Sequence, residues 1–340
     1  IMEVVRATRE TQREIPFAHF PYASTVGSDE KDTRRSAVQG GSAYLKIADG
    51  CHRGCAYCLI PLIKGDLVSR PIEKILEDAK DLQDRGVKEI ILIAQDITSY
   101  GHDLKIKDGL TQLLEAILTA IPYVPWIRLM YTFPGFVTES LIQLMASEPQ
   151  ILPYLDMPLQ HADANILRAM RRPHNISRVR RTLSYVRSKV ENATLRSTFI
   201  VGYPGEDERA FQNLVNIINE VEFDHLGAIK YSFERGSPAE PIGDPIPEHT
   251  KIERMEVLMQ QQAEISQRRN QKFIGKTLDV LIEGVDEESQ IAIGRSFRDA
   301  PEIDGLAVVE GIARIGDMVP VNIHSAITHD LIGEISESHP

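Results

Sequence analysis

The chain has 340 residues, of which 42% are hydrophobic and 26% are charged, and its formal net charge is −11. This composition is typical of a globular protein with room for one large and one small domain, and no apolar run is long enough to span a membrane. Because Ile1–Phe20 is charged and lacks the apolar stretch of a signal peptide, we predict a cytoplasmic protein.

Residues 1–40 are polar and rich in turn formers. Both charge signs occur between Ser24 and Ser36 without a helical or strand period. Such a segment has too little apolar surface to fold by itself. We therefore predict a linker, or the remnant of a missing N-terminal domain, over residues 1–40.

Residues 41–247 alternate between two kinds of segment. Short apolar or β-branched runs predict strands at Ala43–Ala48, Glu89–Ala94, Trp126–Tyr131, Tyr154–Met157, Leu195–Val201 and Leu226–Tyr231. Amphipathic stretches predict helices at Ile72–Arg85, Leu110–Ile121, Glu139–Ser147, Ser177–Val190 and Glu208–Val221. This alternation is typical of βαβ units with a parallel sheet. Because no glycine-rich dinucleotide motif follows the first strand, we predict an α/β fold with an incomplete (βα)6 barrel rather than a doubly wound sheet.

The three cysteines of the chain, Cys51, Cys55 and Cys58, all lie in the loop after the first strand. A disulfide framework needs an even number of cysteines, and a structural zinc site needs four ligands, usually in two pairs. Thiolates also hold iron–sulfur clusters. A [4Fe–4S] cluster held by three cysteines keeps one iron open for a small molecule. We favour this cluster, with zinc as the alternative.

Other strand ends provide candidate ligand-binding groups, because the active sites of parallel barrels lie at the C-terminal ends of the strands. These groups include Gln95, Gln160 and Gly202, and also Arg196 on the fifth strand. An unpaired buried charge is costly, so Arg196 needs an anionic partner, either a ligand or a neighbouring carboxylate. His161 follows the fourth strand; it can equally be a structural histidine, and we do not expect it to bind metal.

The cysteine spacing, with Tyr57 before the last cysteine, resembles that of the radical S-adenosylmethionine (SAM) enzymes. The resemblance implies that SAM binds the open iron and that an electron from the cluster cleaves it, while the protein supplies binding and orientation. It also implies a partial six-stranded barrel. Tyr57 would lie near the adenine of SAM or simply pack beneath the loop. Further SAM contacts would come from Gln95, Gln160, Arg196 and Gly202.

Residues 248–272 predict one long connecting helix, and residues 273–336 predict a small β-barrel. The predicted strands of this all-β domain are Thr277–Ile282, Gln290–Gly294, Leu306–Val309 and Met318–His324. The domain has 12 acidic residues but only Lys276, Arg295, Arg298 and Arg314 as basic ones, so it carries most of the net negative charge.

The order of these domains resembles that of the methylthiotransferases, in which a radical SAM barrel is followed by a small TRAM barrel. The resemblance covers about residues 40–336, with similar motifs at Tyr44–Cys51, Ala94–Asp96, Ile200–Glu206 and Gly294–Gly305. One branch of this family modifies an adenosine of transfer RNA. The other branch adds a methylthio group to the β-carbon of an aspartate in small-subunit ribosomal protein twelve.

The acidic TRAM barrel separates the two branches. Affinity for RNA comes largely from Lys and Arg that displace counterions, so an acidic barrel should not bind RNA directly. It should attract a basic ribosomal protein, free or within the ribosomal subunit. We therefore predict the protein-modifying activity, with Glu302 and Asp304 as candidate partner-binding residues, and keep transfer RNA as the alternative substrate.

The resemblance further implies an electron donor and, in full-length members, an N-terminal domain with three cysteines for a second [4Fe–4S] cluster. This chain has no cysteines for that cluster. We therefore predict a fragment that cleaves SAM but does not complete methylthiolation. A non-catalytic iron–sulfur protein is a second alternative, which the open iron disfavours because carriers usually saturate their clusters with protein ligands.

Overall fold

The computed structural model describes residues 36–336, which form two domains joined by a long helix. The strands of the first domain are β1 (Ser36–Gln39), β2 (Ser42–Lys46), β3 (Ala48–Asp49), β4 (Val68–Ser69), β5 (Glu89–Ile93), β6 (Trp126–Leu129), β7 (Tyr154–Asp156), β8 (Thr194–Val201) and β9 (His225–Lys230). Its helices are α1 (Ile60–Lys64), α2 (Ile72–Asp84), α3 (Gly109–Ala120), α4 (Glu139–Ser147), α5 (Ala164–Ala169), α6 (Ile176–Lys189) and α7 (Glu208–Val221).

The first domain is an incomplete parallel barrel, as predicted. Strands β2, β5 and β6 pair in parallel, and so do β7, β8 and β9. A parallel bridge between Ile127 and Ile151 joins the two sheets. The cysteine loop follows β2, so it lies at the C-terminal ends of these strands. We call this the upper end of the barrel, and the opposite end the lower end.

Alternation along each strand separates the interior of the barrel from the layer beneath the helices. On β5, Ile90 and Leu92 pack in one core with helix residues such as Ile75, whereas Ile91 packs in a different cluster with Trp126 from β6. The short helices α1 and α5 were not predicted, because neither is long enough to show a helical period. In the described part of the chain, no helix is both long and apolar enough to cross a bilayer.

Strand β1 lies at the end of the segment that was predicted to be a linker. It pairs antiparallel with β2 through a hairpin at Gly40 and Gly41. The first domain therefore begins at Ser36 or earlier, while residues 1–35 of the predicted linker lie outside the described residues. A four-residue edge strand with one large apolar side chain, Val38, has almost no periodicity to detect.

The second domain is a closed barrel of five strands, β10 (Thr277–Asp286), β11 (Ile291–Ser296), β12 (Ala307–Glu310), β13 (Met318–Ala326) and β14 (Leu331–Ile335). The helix α8 (Glu248–Gln271) connects it to the first domain, as predicted. Strand β14 was not predicted. It closes the barrel by pairing in parallel with β12 and antiparallel with β13.

The second domain fills the lower end of the first. Ala300, in the loop after β11, and Leu281 from β10 pack in one buried cluster with Ile91, Trp126 and Tyr154 from the interior of the first barrel. This contact turns the lower end into a packed core. Only the upper end remains for a ligand.

A buried network of charges reinforces this closed end. The carboxylate of Glu89 accepts hydrogen bonds from Arg128 Nε and Arg295 Nη2, both at 2.6 Å, and from Ser42 Oγ at 2.8 Å. All three charged side chains are fully buried. Burial alone would raise the pKa of Glu89, but the two guanidinium groups outweigh it and lower the pKa to about 2. The network therefore links β5, β6 and the second domain through buried ion pairs that are also hydrogen-bonded.

Candidate active site

The cysteine loop forms one wall of a cavity of about 530 Å³ at the upper end of the barrel, and all three cysteines line it. The backbone amide of Cys51 donates a hydrogen bond to the carbonyl of Gly65 at 3.1 Å. Gly50 has a φ of +66°, and a Cβ there would lie 2.0 Å from the carbonyl oxygen of Asp66. Only glycine fits this close approach, which brings the loop back across the end of β2.

Each cysteine sulfur accepts one hydrogen bond. Arg53 N lies 3.4 Å from Cys51 Sγ, Ile60 N lies 3.4 Å from Cys58 Sγ, and Arg172 Nη1 lies 3.6 Å from Cys55 Sγ. Burial raises the pKa of the Cys51 and Cys58 thiols. Donors at all three sulfurs favour negative charge on them, and such donors also adjust the potential of a thiolate-bound cluster.

The three thiols border a space rather than meet at a point. Among residues 36–336, no group of three or more His, Cys, Asp or Glu side chains is placed to hold a single metal ion. Three thiols on one wall of the cavity are a donor set that a [4Fe–4S] cluster with one open iron can use. The donor set and the cavity therefore fit a [4Fe–4S] cluster.

Two buried glutamine carbonyls in the same cavity have no partner in the protein. Gln95 follows β5 and Gln160 follows β7, and both line the cavity together with the cysteines. Their Oε1 atoms are buried and accept no hydrogen bond. An unsatisfied buried acceptor costs about 1–3 kcal/mol. Two such acceptors in one cavity indicate a ligand that brings its own donors.

Tyr57 also lines this cavity, which brings three of the predicted SAM contacts together with the cysteines. Its hydroxyl lies 3.3 Å from Arg172 Nη1, and its side chain is partly buried against a small core beneath the loop. Burial raises the pKa of Tyr57. Tyr57 is therefore a neutral hydrogen-bonding group at neutral pH, next to the thiols.

The other two predicted SAM contacts lie elsewhere. Arg196 donates to Asp156 Oδ1 at 2.9 Å and to Asp304 Oδ1 at 3.2 Å. Burial would lower the pKa of Arg196, but these carboxylates outweigh it and raise the pKa. The anionic partner of Arg196 is therefore protein, which was the second of the two alternatives.

Gly202 faces helix α8 rather than the cavity. A Cβ at this position would lie 2.4 Å from Lys251 Cγ. Its amide donates to Glu206 Oε1 at 3.0 Å, and the same carboxylate lies 3.0 Å from His161 Nε2. Gly202 and His161 thus belong to a buried structural cluster, and sequence alone could not separate this role from ligand binding.

The predicted partner-binding residues differ in exposure. Glu302 is exposed, and its carboxylate accepts a hydrogen bond from Gln39 Nε2 at 3.2 Å. The Asp304 side chain is only 1% exposed and accepts hydrogen bonds from Tyr154 Oη at 2.6 Å and from Ala300 N at 2.9 Å. The prediction for Asp304 was wrong, because this acid holds the two domains together and cannot contact a partner.

Two arginines at the cavity were not predicted. Arg53 donates to Asp96 Oδ2 at 2.9 Å and stacks on Phe136, with its guanidinium carbon 3.7 Å from the ring centre. Arg172 stacks on Phe133 at 4.3 Å. Arg53 lies inside the cysteine loop, so its place in the sequence could have indicated that it lines the cavity. Arg172 lies 117 positions from Cys55, and only the fold brings the two together.

Two of the nine described non-glycine residues with a positive φ angle line this cavity. Tyr131 and Gln160 both line it, and their φ angles are +65° and +73°. Residues other than glycine rarely adopt this conformation, and each costs on the order of 1–3 kcal/mol. Asp156 Oδ2 accepts a hydrogen bond from Tyr131 N at 3.0 Å, and Gln160 N donates to Thr198 O at 2.8 Å. These bonds hold both side chains toward the cavity.

Comparisons with known proteins identify the family of each domain. Residues 45–218 match the model of the radical SAM superfamily, and residues 274–335 match that of the TRAM domain. The ribosomal protein uS12 methylthiotransferase RimO of Roseiflexus sp. strain RS-1 is 45% identical over 89% of this chain and 65% of its own length. The protein of the same name from Chloroflexus aurantiacus is 45% identical over 94% of this chain and 72% of its own length. The chain thus spans about two thirds of the length of these relatives.

A solved structure has the same kind of fold at low sequence identity. The radical SAM methyltransferase TsrM of Kitasatospora setae, with cobalamin and a [4Fe–4S] cluster bound, matches 61% of this chain and 36% of its own with a TM-score of 0.50. The two are 16% identical, so this likeness supports the fold alone.

Proposed function

The chain belongs to the radical SAM superfamily, in a TRAM-containing family of methylthiotransferases, and on that premise we propose that it is the catalytic part of an enzyme that modifies ribosomal protein uS12. The reaction would replace a hydrogen on the β-carbon of an aspartate with a methylthio group. One observation carries the proposal: three thiols and two unpartnered glutamine carbonyls surround a single cavity.

The residues of the cavity have distinct proposed roles. Cys51, Cys55 and Cys58 would hold a [4Fe–4S] cluster, which when bound supplies the electron that cleaves SAM at its open iron. Gln95 and Gln160 would accept hydrogen bonds from SAM through the carbonyls that the protein leaves free. Neither glutamine side chain forms a hydrogen bond with a cysteine. The proposed role of the two glutamines is therefore to orient SAM.

Arg53 and Arg172 have a supporting role around the cysteines. Their guanidinium groups stack on Phe136 and Phe133, which fixes two positive charges beside the thiols without exposing them to bulk water. The charge of Arg53 is paired with Asp96, whereas the positive charge of Arg172 favours the thiolate form of Cys58. It would also offset the negative charge of a reduced cluster.

The surface charge of the TRAM domain supports a basic protein substrate. Two of its acids, Asp299 and Asp304, are buried, but so are two of its bases, Arg295 and Arg298. Ten acidic and two basic residues therefore remain outside the core of the domain. Because Asp304 is already counted as buried, its exclusion from the partner-binding residues does not change this surface charge. A ribosomal substrate also implies that the protein acts in the cytoplasm.

The complete reaction needs parts that lie beyond these residues. The cysteines of this chain can ligate one cluster, so the ligands of a second [4Fe–4S] cluster would have to come from elsewhere in a longer protein. We propose that this second cluster is the source of the sulfur. We further propose that a separate electron donor reduces the first.

Mass spectrometry of uS12 tests the proposed activity. Cells that lack the gene should contain uS12 without its methylthio group, and the full-length gene should restore the group. The same gene with Cys55→Ala should not restore it, while Lys80→Gln, at an exposed lysine that does not line the cavity, should. A normal methylthio group on uS12 in the deletion strain would refute the substrate. Loss of a methylthio group from transfer RNA instead would favour the RNA-modifying alternative.

A further inference from the structure

The most basic part of this acidic chain lies on the first domain. Between Asp163 and Glu191 there are seven arginines and one lysine but no acidic residue. Local charge of one sign over such a length is unexpected in a chain whose net charge is −11. The segment covers α5, α6 and the turn between them.

Helix α6 presents part of this charge as a line on its exposed face. It buries Val179, Leu183 and Val186, so the opposite face is turned to solvent. That face carries Arg178, Arg181 and Lys189, all exposed, with the half-buried Tyr185 between them. We call Arg171, Arg178, Arg181 and Lys189 the basic stripe. At a rise of about 1.5 Å per residue, its helical part is roughly 16 Å long.

The basic stripe has no carboxylate partners of its own. Arg180 pairs with Glu220 at 2.8 Å and Arg187 pairs with Asp224 at 3.1 Å, both on the side of α6 that faces α7. In contrast, no ion pair within residues 36–336 involves Arg171, Arg178, Arg181 or Lys189. The stripe is therefore uncompensated positive charge, not one half of a salt-bridge network.

The stripe begins at the rim of the cavity. Arg171 is exposed and adjoins Arg172, which lines the cavity. Arg178 Nη2 donates to the carbonyl of Gly135 at 3.3 Å, in the loop that carries Phe133 and Phe136. A ligand on the stripe would therefore lie next to a substrate in the cavity.

We propose that the basic stripe binds the phosphate backbone of RNA, so that the substrate protein is presented to the cavity while it is held in RNA. This deepens the proposed function and rests on it, because a ribosomal protein in its subunit is surrounded by RNA. The acidic TRAM domain would face the basic protein and the stripe would face the RNA around it. The prediction that RNA is not bound then applies to the TRAM domain alone.

The chemistry of the stripe favours RNA over other acidic partners. Its spacing suits a line of phosphates along a backbone, and Tyr185 adds an aromatic side chain among the charges, on which a base can stack. A membrane surface would require several apolar side chains on the same face for insertion, and the exposed face of α6 offers only the half-buried Tyr185.

The test is a titration of the reconstituted chain against a fluorescently labelled RNA hairpin at several salt concentrations. Arg178→Glu/Arg181→Glu should weaken binding at least tenfold at low salt. The slope of log affinity against log salt concentration should also become shallower, by roughly 0.7–0.9 for each phosphate that the variant no longer binds. The control is Lys80→Glu/Lys272→Glu, which changes the net charge equally at two exposed lysines that lie away from the stripe.

Four outcomes would overturn the inference. The first is that the wild type does not bind RNA, and the second is that the stripe variant keeps its full affinity for RNA. The third is that the stripe variant and the control lose RNA affinity equally. The fourth is that vesicles containing phosphatidylserine bind as strongly as RNA and in the same stripe-dependent way. Arg178→Gln/Arg181→Gln removes the charge without reversing it and should show an intermediate loss of RNA affinity. A thermal melt of each variant shows whether it is folded.

A parallel titration against isolated uS12 separates this inference from the proposed function. The stripe variant should bind isolated uS12 as the wild type does. If uS12 does not bind the wild type but RNA binding depends on the stripe, the proposed substrate fails and the stripe stands. If the wild type binds uS12 but its RNA binding does not depend on the stripe, only the inference about the basic stripe is refuted.

Discussion

The two ends of the first barrel differ in how their main polar groups are paired. At the lower end, Glu89, Arg128 and Arg295 are charged and fully buried, and each has partners within hydrogen-bond distance. At the upper end, Gln95 and Gln160 are neutral and half-buried, and their buried Oε1 atoms have no partner in the protein. Buried polar groups are normally satisfied. The charged network of the lower end is therefore paired within the protein, whereas the two glutamines of the upper end leave acceptors for a ligand.

This difference shows that pairing, not residue type, separates structure from function here. Arg196 has the charge expected of a cofactor-binding residue, yet Asp156 and Asp304 occupy its donors. The uncharged Gln95 and Gln160 are better candidates because their acceptors are free. The comparison predicts distinct consequences for variants at the two ends.

The largest effect is expected at the cysteines of the upper end. Replacement of any one of Cys51, Cys55 and Cys58 by alanine should abolish bound iron and SAM cleavage, because each thiolate would hold a different iron of one cluster. Iron analysis and release of 5′-deoxyadenosine measure this. A variant with normal iron content would remove that cysteine from the proposed ligands.

At the lower end, Glu89→Ala should lower the free energy of unfolding by about 3–5 kcal/mol, because it leaves two buried guanidinium groups without their carboxylate. Urea denaturation measures the loss. Glu302→Ala is the matched control, since Glu302 is exposed and should change stability by no more than about 0.5 kcal/mol. Equal losses of unfolding free energy in the two variants would contradict a stabilising role of the buried network.

The same network should give a defined pH dependence. The pKa of Glu89 is lowered from 4.5 to about 2 in the folded state, so its stabilisation is full above pH 4.5 and is lost as the pH falls toward 2. The contribution is on the order of 3 kcal/mol. The stability difference between wild type and Glu89→Gln should therefore be largest near pH 7 and shrink below pH 4.5. A difference that stays constant with pH would contradict the ionised network.

Smaller effects are expected at the two glutamines. Gln95→Ala or Gln160→Ala should weaken SAM binding by roughly 2- to 10-fold, the equivalent of one neutral hydrogen bond of about 0.5–1.5 kcal/mol. Neither should destabilise the SAM-free protein, because the carbonyl that is removed has no partner there. Calorimetry with SAM and thermal melts measure both quantities. A variant that loses stability without losing SAM affinity would identify a structural role.

The smallest effect concerns the exposed surface of the TRAM domain. Glu302→Lys should weaken binding to isolated uS12 by roughly 2- to 5-fold at low salt and less at high salt, as expected for one exposed charge. Glu310→Lys, at another exposed acid of the domain, shows whether position matters or only net charge. An unchanged affinity for uS12 in the Glu302 variant would exclude this residue from the interface.

The sequence predicted most of the regular structure, because its periodicity is local. Helices α4 and α7 begin and end where the pattern predicts, and every strand of the parallel barrel overlaps its predicted run. The position of the cysteines at one end of the barrel was predicted for the same reason, since all three lie within one loop. Strand β14 was missed because it is only five residues long and contains Gly333, so its apolar alternation is short.

Long-range pairing could not be predicted in the same way. Arg196 and Asp304 are 108 positions apart, and nothing near either residue shows that they meet. Composition revealed that the TRAM domain is acidic but not which acids are used inside it. Gln95 and Gln160 were proposed from their places after strands, but only the structure shows that their carbonyls are free.

The direction of β1 determines where a further domain would be attached. Because β1 is antiparallel to β2, its first residue, Ser36, lies opposite Leu45, near the end of β2 that leads into the cysteine loop. Polypeptide joined ahead of Ser36 therefore starts at the catalytic end of the barrel and not beside the TRAM domain. An extended chain reaches about 3.3–3.6 Å per residue, so every ten residues of such a tether would span at most roughly 35 Å. A second redox group carried by such a domain would thus begin within reach of the first.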